Sequence, residues 1–223
     1  TNGYIFNSVI ENNYIHDLKG GTVSQGDGIE LKDGSYGNIV RDNVIHDTNY
    51  PGIIVYDTDG KAPNIIERNV IWNTGDHGIQ AAADAIIRNN IIFDTGGEGI
   101  YCRNHQSAVV GNLTIVHNTI LSKHSIRIIP PAKLSGEVVI ANNALSAEPR
   151  IPSITGITRS TNITEIREKF PTSKSPCLGA ADSKYLVKVD FNNTSRGERK
   201  DVGAYHFSPN GNPGWKITKG SKQ

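Results

Sequence analysis

Methionine is absent from the 223 residues, cysteine occurs twice, and Phe, Trp and Tyr together make up 7%. Two cysteines exclude a disulfide-stapled scaffold and leave one bridge, Cys102 to Cys177, as an alternative to two reduced thiols. No apolar run approaches the ~20 residues that cross a bilayer, so no membrane span is expected. An excess of charge is also missing. With 23 Lys and Arg against 22 Asp and Glu the net charge is +1, which argues against a general polyanion binder and against nucleic acid as a partner. The chain lacks an initiator methionine and begins almost inside its first repeat. This predicts a mature or trimmed product whose open end is covered by preceding coils or by a partner.

What the chain has instead is repetition. Asn13-Tyr14-Ile15-His16-Asp17 returns as Asn43-Val44-Ile45-His46-Asp47, Asn69-Val70-Ile71-Trp72-Asn73, Asn90-Ile91-Ile92-Phe93-Asp94, Asn118-Thr119-Ile120-Leu121-Ser122 and Asn143-Ala144-Leu145-Ser146. The leading asparagines are spaced by 30, 26, 21, 28 and 25 residues, an average of 26, so each copy marks one turn of a parallel β-solenoid with loops of variable length. Asparagines stacked at the ~4.8 Å strand spacing can form a continuous amide ladder, which makes this phrase fold rather than function. Sequon-like triplets at Asn112, Asn162, Asn192 and Asn193 carry no weight in so asparagine-rich a chain.

A second phrase lies between the copies: Gly28-Ile29-Glu30-Leu31-Lys32, Gly52-Ile53-Ile54-Val55-Tyr56, Gly78-Ile79-Gln80-Ala81-Ala82, Gly99-Ile100-Tyr101-Cys102-Arg103 and Ser125-Ile126-Arg127-Ile128-Ile129. Strand alternation points the isoleucine column inward, with Leu31, Val55, Ala81, Cys102 and Ile128 beside it. A third strand precedes each asparagine, as in Ile39-Val40 and Ile65-Ile66. Three strands per coil resembles a right-handed parallel β-helix. The expected fold is therefore all-β, with about six coils in residues 1–147 and an irregular tail in 148–223.

A polar stretch in the tail, residues 161–170, reads as a short helix capped by Thr161 or Thr164. Ser175-Pro176-Cys177-Leu178-Gly179-Ala180, Arg196-Gly197-Glu198-Arg199 and Asp201-Val202-Gly203-Ala204-Tyr205 resemble the closing segment of secreted bacterial β-helix proteins. That resemblance implies a tail that packs on the solenoid and closes it, a buried turn-forming pair of Asp201 and Arg199, and a secreted, periplasmic or cell-surface setting.

Alternation turns Glu30, Ile54, Gln80, Tyr101 and Arg127 outward in one column, and Lys32, Tyr56, Ala82, Arg103 and Ile129 in another. Four coils give a strip of roughly 15 Å, long enough for about three sugars. His77 and His105 flank it from loops. The substrate-binding candidates are thus Glu30, Gln80, Tyr101, Arg103, Arg127, His77 and His105. His16 and His46 share a column with Trp72 and Phe93, which predicts a ring stack rather than a metal site.

The first full coil carries an inserted loop and then Gln25-Gly26-Asp27-Gly28-Ile29-Glu30-Leu31-Lys32. Over about thirty residues this segment resembles the catalytic coil of polysaccharide lyases of the chondroitinase B and alginate lyase type. The resemblance implies calcium at Asp27 and Lys32 as the base. Gln25 stands where the family has its first acid, and Tyr56 where it has an assisting arginine. β-Elimination from a uronate needs a base at C5, a cation on the carboxylate and an acid for the leaving oxygen; Lys32, a cation at Asp27 and Tyr56 supply these roles. Three readings stay open: a lyase acting on acidic polysaccharide, a glycoside hydrolase built on Asp27, Glu30, Asp57 and Asp59, and a noncatalytic solenoid for glycan binding, adhesion or surface structure.

Overall fold

A computed structural model describes residues 3–22 and 24–215. Strands follow one another around a coil and pair in parallel with the same strand of the next coil. The first sheet stacks Val9–Glu11, Ile39–Arg41, Asn64–Glu67, Ala83–Arg88, Gly111–Val116, Val138–Ala141 and Ile157–Ser160. The second stacks Tyr14–Ile15, Val44–Thr48, Val70–Thr74, Ile91–Phe93, Thr119–Leu121 and Ala144–Leu145. The third holds Ile29–Leu31, Ile53–Val55, Ile79–Ala81, Glu98–Cys102 and His124–Ile128. This is the expected all-β parallel solenoid.

Like residues stack on like. Ile29, Ile53, Ile79, Ile100 and Ile126 are successive register partners and all are buried. Val40, Ile66, Ile87, Ile115 and Ile140 from the first sheet meet them in one core with Ile45, Ile71, Ile92 and Ile120 from the second. The glycine ahead of the inward isoleucine in four of the five third-sheet strands makes room for the second-sheet column. A Cβ on Gly52 would lie 2.5 Å from Ile71 Cγ2 and 2.9 Å from the Gly78 carbonyl.

The asparagine ladder fills the corner between first and second sheets. Each Nδ2 donates to Oδ1 of the next rung at 2.9–3.0 Å. The same Oδ1 accepts the backbone N–H of the rung before at 2.9–3.1 Å. Residues immediately before the rungs, Asn12, Asp42, Arg68, Asn89, His117, Asn142 and Thr161, all have positive φ. So do Asp17, Asp47, Asn73 and Asp94, four residues after a rung. The repeated phrase is therefore a short strand between two left-handed corners, which Asn and Asp tolerate best. Arg68 is an exception, anchored by two 2.9 Å bonds to Asp42.

The solenoid runs past residue 147. Ile157–Ser160 adds a seventh strand to the first sheet, Asn162 forms the last rung, and Ile163 bridges to Ala144. This overturns the helix expected over 161–170: those residues continue the coil, with positive φ at Thr161 and Glu165. Asn162, dismissed above as part of a chance triplet, is structural.

Beyond it the chain turns back over the second sheet, where Phe191, Ala204 and Tyr205 pack on Val44, Val70, Ile91 and Phe93. Arg196, almost wholly buried, donates to Asn89 Oδ1 at 2.9 Å and to the Asp201 and Gly203 carbonyls at 3.0 and 2.8 Å. Asp201 accepts from Gly179 N and Phe207 N, both at 2.9 Å, and pairs with Arg199 Nε at 3.1 Å. His16, His46, Trp72 and Phe93 form the expected ring stack, 4.2 to 5.5 Å between successive centroids. Cys102 and Cys177 are both buried and free, so the alternative of a bridge falls. At the opposite end Tyr4, Ile5, Phe6 and Val9 are exposed. No helix among the described residues is long and apolar enough to cross a membrane.

Two outcomes test this packing. Ile79→Asp places an unpaired charge in the middle coil and should lower stability by several kcal/mol in denaturant melts, on the order expected for such burial. His117 lies buried beneath the tail, its Nε2 accepting from Asn142 Nδ2 at 3.1 Å. Burial lowers its pKa to about 3. The unfolded chain, with a pKa near 6.5, takes up the proton first, so this contribution is complete above about pH 6.5 and is lost as pH falls toward 3. His117→Asn, which keeps a residue suited to the left-handed corner, should flatten that acid limb in pH-dependent melts.

Candidate functional site

The outward column is present in register: Glu30, Ile54, Gln80, Tyr101 and Arg127 are successive partners along the third sheet. Arg150 extends it by one coil, because Arg150 and Arg127 form a parallel bridge. The open groove expected over this strip is interrupted. Ile54 and Gln80 are 3% exposed, Tyr56 4% and Ala82 1%, so the middle of the strip is covered and only its two ends offer polar groups to solvent. Gln80 Nε2 is among the buried side-chain atoms without a partner, and it is not available to a ligand in this arrangement.

The lower end gathers Asp27, Glu30, Lys32, Asp33 and Tyr56. Lys32 Nζ is ion-paired with Glu30 and lies 5.3 Å from the centre of the Tyr56 ring. The Tyr56 hydroxyl donates to the same Glu30 carboxylate, and burial followed by that negative neighbour pushes its pKa well above the usual phenol value. Lys32 is thereby half-exposed and paired with an acid. The loop after Arg103 closes this end. His105 and Ala108 exchange backbone bonds at 3.0 Å, the His105 ring meets Tyr56 edge-on at 4.7 Å, and Ser107 Oγ donates to Asp33 Oδ2 at 3.1 Å. Burial, then Arg103, lowers the His105 pKa, leaving a neutral imidazole beside Glu30 and Lys32.

Calcium at Asp27 does not fit these residues. The ion takes six to eight oxygen ligands. Gln25, at the first-acid position, uses its Oε1 to accept from Gly21 N at 3.1 Å and so holds the inserted loop. Glu30 is occupied by Lys32 and Tyr56, and the Asp27 pKa is raised, chiefly by burial. No group of three or more His, Cys, Asp or Glu suited to a metal occurs among the described residues.

The upper end holds His77, Glu98, Tyr101, Arg103, Arg127 and Arg150. His77 is 9% exposed and stacks on Tyr101 with centroids 4.1 Å apart, so it supports that ring rather than facing a ligand from a loop. Its Nδ1 lies 3.0 Å from both Glu98 N and Glu98 Oε2. Because burial lowers the His77 pKa, the neutral ring accepts the backbone N–H at Nδ1 and directs Nε2–H to Asp76 Oδ1, 3.3 Å away. Glu98 is instead held by arginines: Arg127 Nη1 donates to its Oε1 at 3.4 Å, and Arg150 Nη2 contacts the same oxygen. The Arg103 guanidinium lies 6.0 Å from the Tyr101 ring centre. Sequence reasoning missed Glu98 and Arg150. Glu98 precedes Gly99 as Asp27 precedes Gly28, a repeat position that hints at a corner column.

Asp57 and Asp59 are engaged with each other and with Lys61. Asp57 Oδ1 accepts the Asp59 N–H at 3.4 Å, and Asp59 pairs with Lys61 at 3.8 Å. Two recesses of about 430 and 400 Å3 open elsewhere, where the tail crosses the second sheet; Arg68, Phe191 and Trp215 line one, Phe170 and Tyr205 the other. The Tyr56 geometry is testable by absorbance titration. Between about pH 9 and 11, where ordinary phenols ionise, Tyr56→Phe should lose no amplitude relative to the parent, because the Tyr56 hydroxyl stays protonated there.

Comparison with known proteins adds the family. A family model described as "Right handed beta helix region" matches residues 3–145. No curated protein and no solved structure gives a significant match. With stacked parallel strands, three strands per coil and a family match over most of the chain, the protein belongs to the right-handed β-helix family.

Proposed function

We propose that this β-helix binds an extended acidic polysaccharide lengthwise along the outward face of its third sheet, in a secreted, periplasmic or cell-surface setting. The observation that carries the reading is that cations stand at both ends of one face, Lys32 at the lower end and Arg103, Arg127 and Arg150 in successive coils at the upper end beside the partly exposed Tyr101 ring. Net charge is only +1, so this is a local concentration of positive charge rather than a property of the whole surface. Sugar rings stack on aromatic faces while their carboxylates meet the cations, and a parallel solenoid presents both at a regular ~4.8 Å step. Tyr101 is braced from beneath by His77, which fixes its ring before any ligand arrives.

A second reading, β-elimination, is favoured by the cluster at the lower end. Lys32 can neutralise a uronate carboxylate, the neutral His105 imidazole can take the C5 proton, and the Tyr56 phenol can protonate the leaving oxygen. The C5–H electrons form the C4–C5 double bond as the C4–O bond breaks, and its electron pair leaves on oxygen. Lys32 then acts as the electrostatic partner, while its resemblance-based role as base passes to His105. Tyr56 is covered by the His105 loop, so this chemistry requires the loop to lift.

One experiment separates the readings. Alginate, chondroitin, polygalacturonate and heparin-type substrates are offered to the parent and to Lys32→Ala, Tyr101→Ala and Arg103→Ala, with affinity and ultraviolet absorbance followed together. Binding alone predicts no absorbance rise and affinity losses of about three- to tenfold in each variant. Elimination predicts a rise in the parent that Lys32→Ala lowers together with affinity, since Lys32 meets the substrate carboxylate, and that His105→Ala, measured alongside, abolishes with most affinity kept. Unchanged affinity in all three variants would reduce the strip to a solvated face.

A further inference from the structure

Resting on the binding reading, the geometry points to a dedicated carboxylate clamp at the upper end of the strip, formed by the guanidinium groups of Arg127 and Arg150 and set in place by Glu98. Arg127 and Arg150 sit in adjacent coils of the outward column, joined by Ile128 N donating to Arg150 O at 3.0 Å and Arg150 N donating to Ile126 O at 2.7 Å. Their side chains are 40% and 48% exposed, whereas Glu98, which both reach, is 7% exposed at its side chain. Both guanidiniums address one oxygen, Glu98 Oε1, and neither makes another side-chain bond among the described residues.

The charge at this point does not balance within the protein. Two fixed cations face one carboxylate, and His77, the other titratable group against Glu98, is held neutral by burial. Asp76 directs its carboxylate to His77 rather than to the arginines. One positive charge remains uncompensated at the surface. Each guanidinium carries five N–H donors in a planar fork, so donors remain beyond the one that reaches Glu98 and are free to donate to a second, external oxyanion. A buried carboxylate that tethers two mobile side chains removes their rotamer entropy in advance, which is what a binding site requires and what scattered surface arginines lack.

A planar carboxylate of one negative charge matches both the fork and the missing charge. Arg127 lies four coils above Glu30 and Lys32, a rise of about 19 Å. A glycan reaching from the lower cluster to this clamp therefore presents uronate carboxylates roughly four sugars apart. The clamp selects for acidic sugars at a distance from the Lys32 end and anchors the chain along the solenoid axis.

The test uses calorimetric titration of the full chain with an alginate hexasaccharide, the same hexasaccharide with its carboxyls reduced to alcohols, and a chondroitin sulfate hexasaccharide. Arg127→Gln and Arg150→Gln should each weaken the alginate hexamer about tenfold and leave unchanged whatever affinity the reduced hexamer retains. Arg41→Gln, which removes a cation paired with Glu11 on the first sheet, should change neither. Glu98→Gln should also weaken the alginate hexamer, because the arginines lose their tether, and melts of all four variants report whether the fold is kept. Equal losses on the acidic and reduced hexamers, an unchanged affinity in both arginine variants, or losses confined to the sulfated hexamer would overturn the clamp. If the parent binds alginate and the arginine variants match it, the clamp alone fails. If the parent binds none of the acidic hexamers, the polysaccharide reading fails and takes the clamp with it.

Discussion

The corner asparagine ladder is the constraint from which the rest of the molecule follows. A parallel coil must turn between its first and second sheets, and the turn leaves backbone groups unpaired in a region closed to water. Each buried asparagine meets that demand alone: its Oδ1 accepts a backbone N–H from the coil below, and its amide hydrogens reach the next rung and a strand carbonyl, as Asn69 does to Asn90 and Val40. No other short side chain offers an acceptor and two donors in one plane. The ladder therefore fixes register, and register places every inward isoleucine above another.

This explains which parts of the fold were legible. Asparagine spacing, glycine before isoleucine and strict alternation follow from the corner and the core, and they repeat, so a single sequence carries several samples of the same rule. Legibility ended where repetition did. Asn162 stands among residues that lack the Asn-x-Ile phrase after Ile163, so its rung looked like chance and the coil was read as a helix. The clean alternation that identified outward positions was correct about direction and incomplete about exposure. Tyr56 does point away from the core, but His105, separated from it by two coils of sequence, folds back against it.

The same distinction governs the candidate site. Glu30, Lys32, Tyr101, Arg103 and Arg127 were visible because each occupies a column. Glu98 and Arg150 were not, since Glu98 lies ahead of the repeated Gly-Ile phrase of its strand and Arg150 belongs to a coil whose third strand is reduced to one bridge. Their association depends on side chains from different coils converging on one oxygen. Nor does local spacing reveal that Glu30 is shared by Lys32 and Tyr56, which turns an apparent catalytic lysine into half of an ion pair.

Coil length in this solenoid varies from 19 to 30 residues between successive rungs without any change in rung geometry. The mechanical frame and the decoration are therefore separable. The inserted loop around Gln25 and the His105 loop both leave the coil between strands whose register is already set elsewhere, and both return to the same step of the stack. Such a chassis lets surface segments be lengthened, exchanged or deleted one coil at a time, with the remaining coils acting as a ruler that keeps the distance between any two surface groups unchanged.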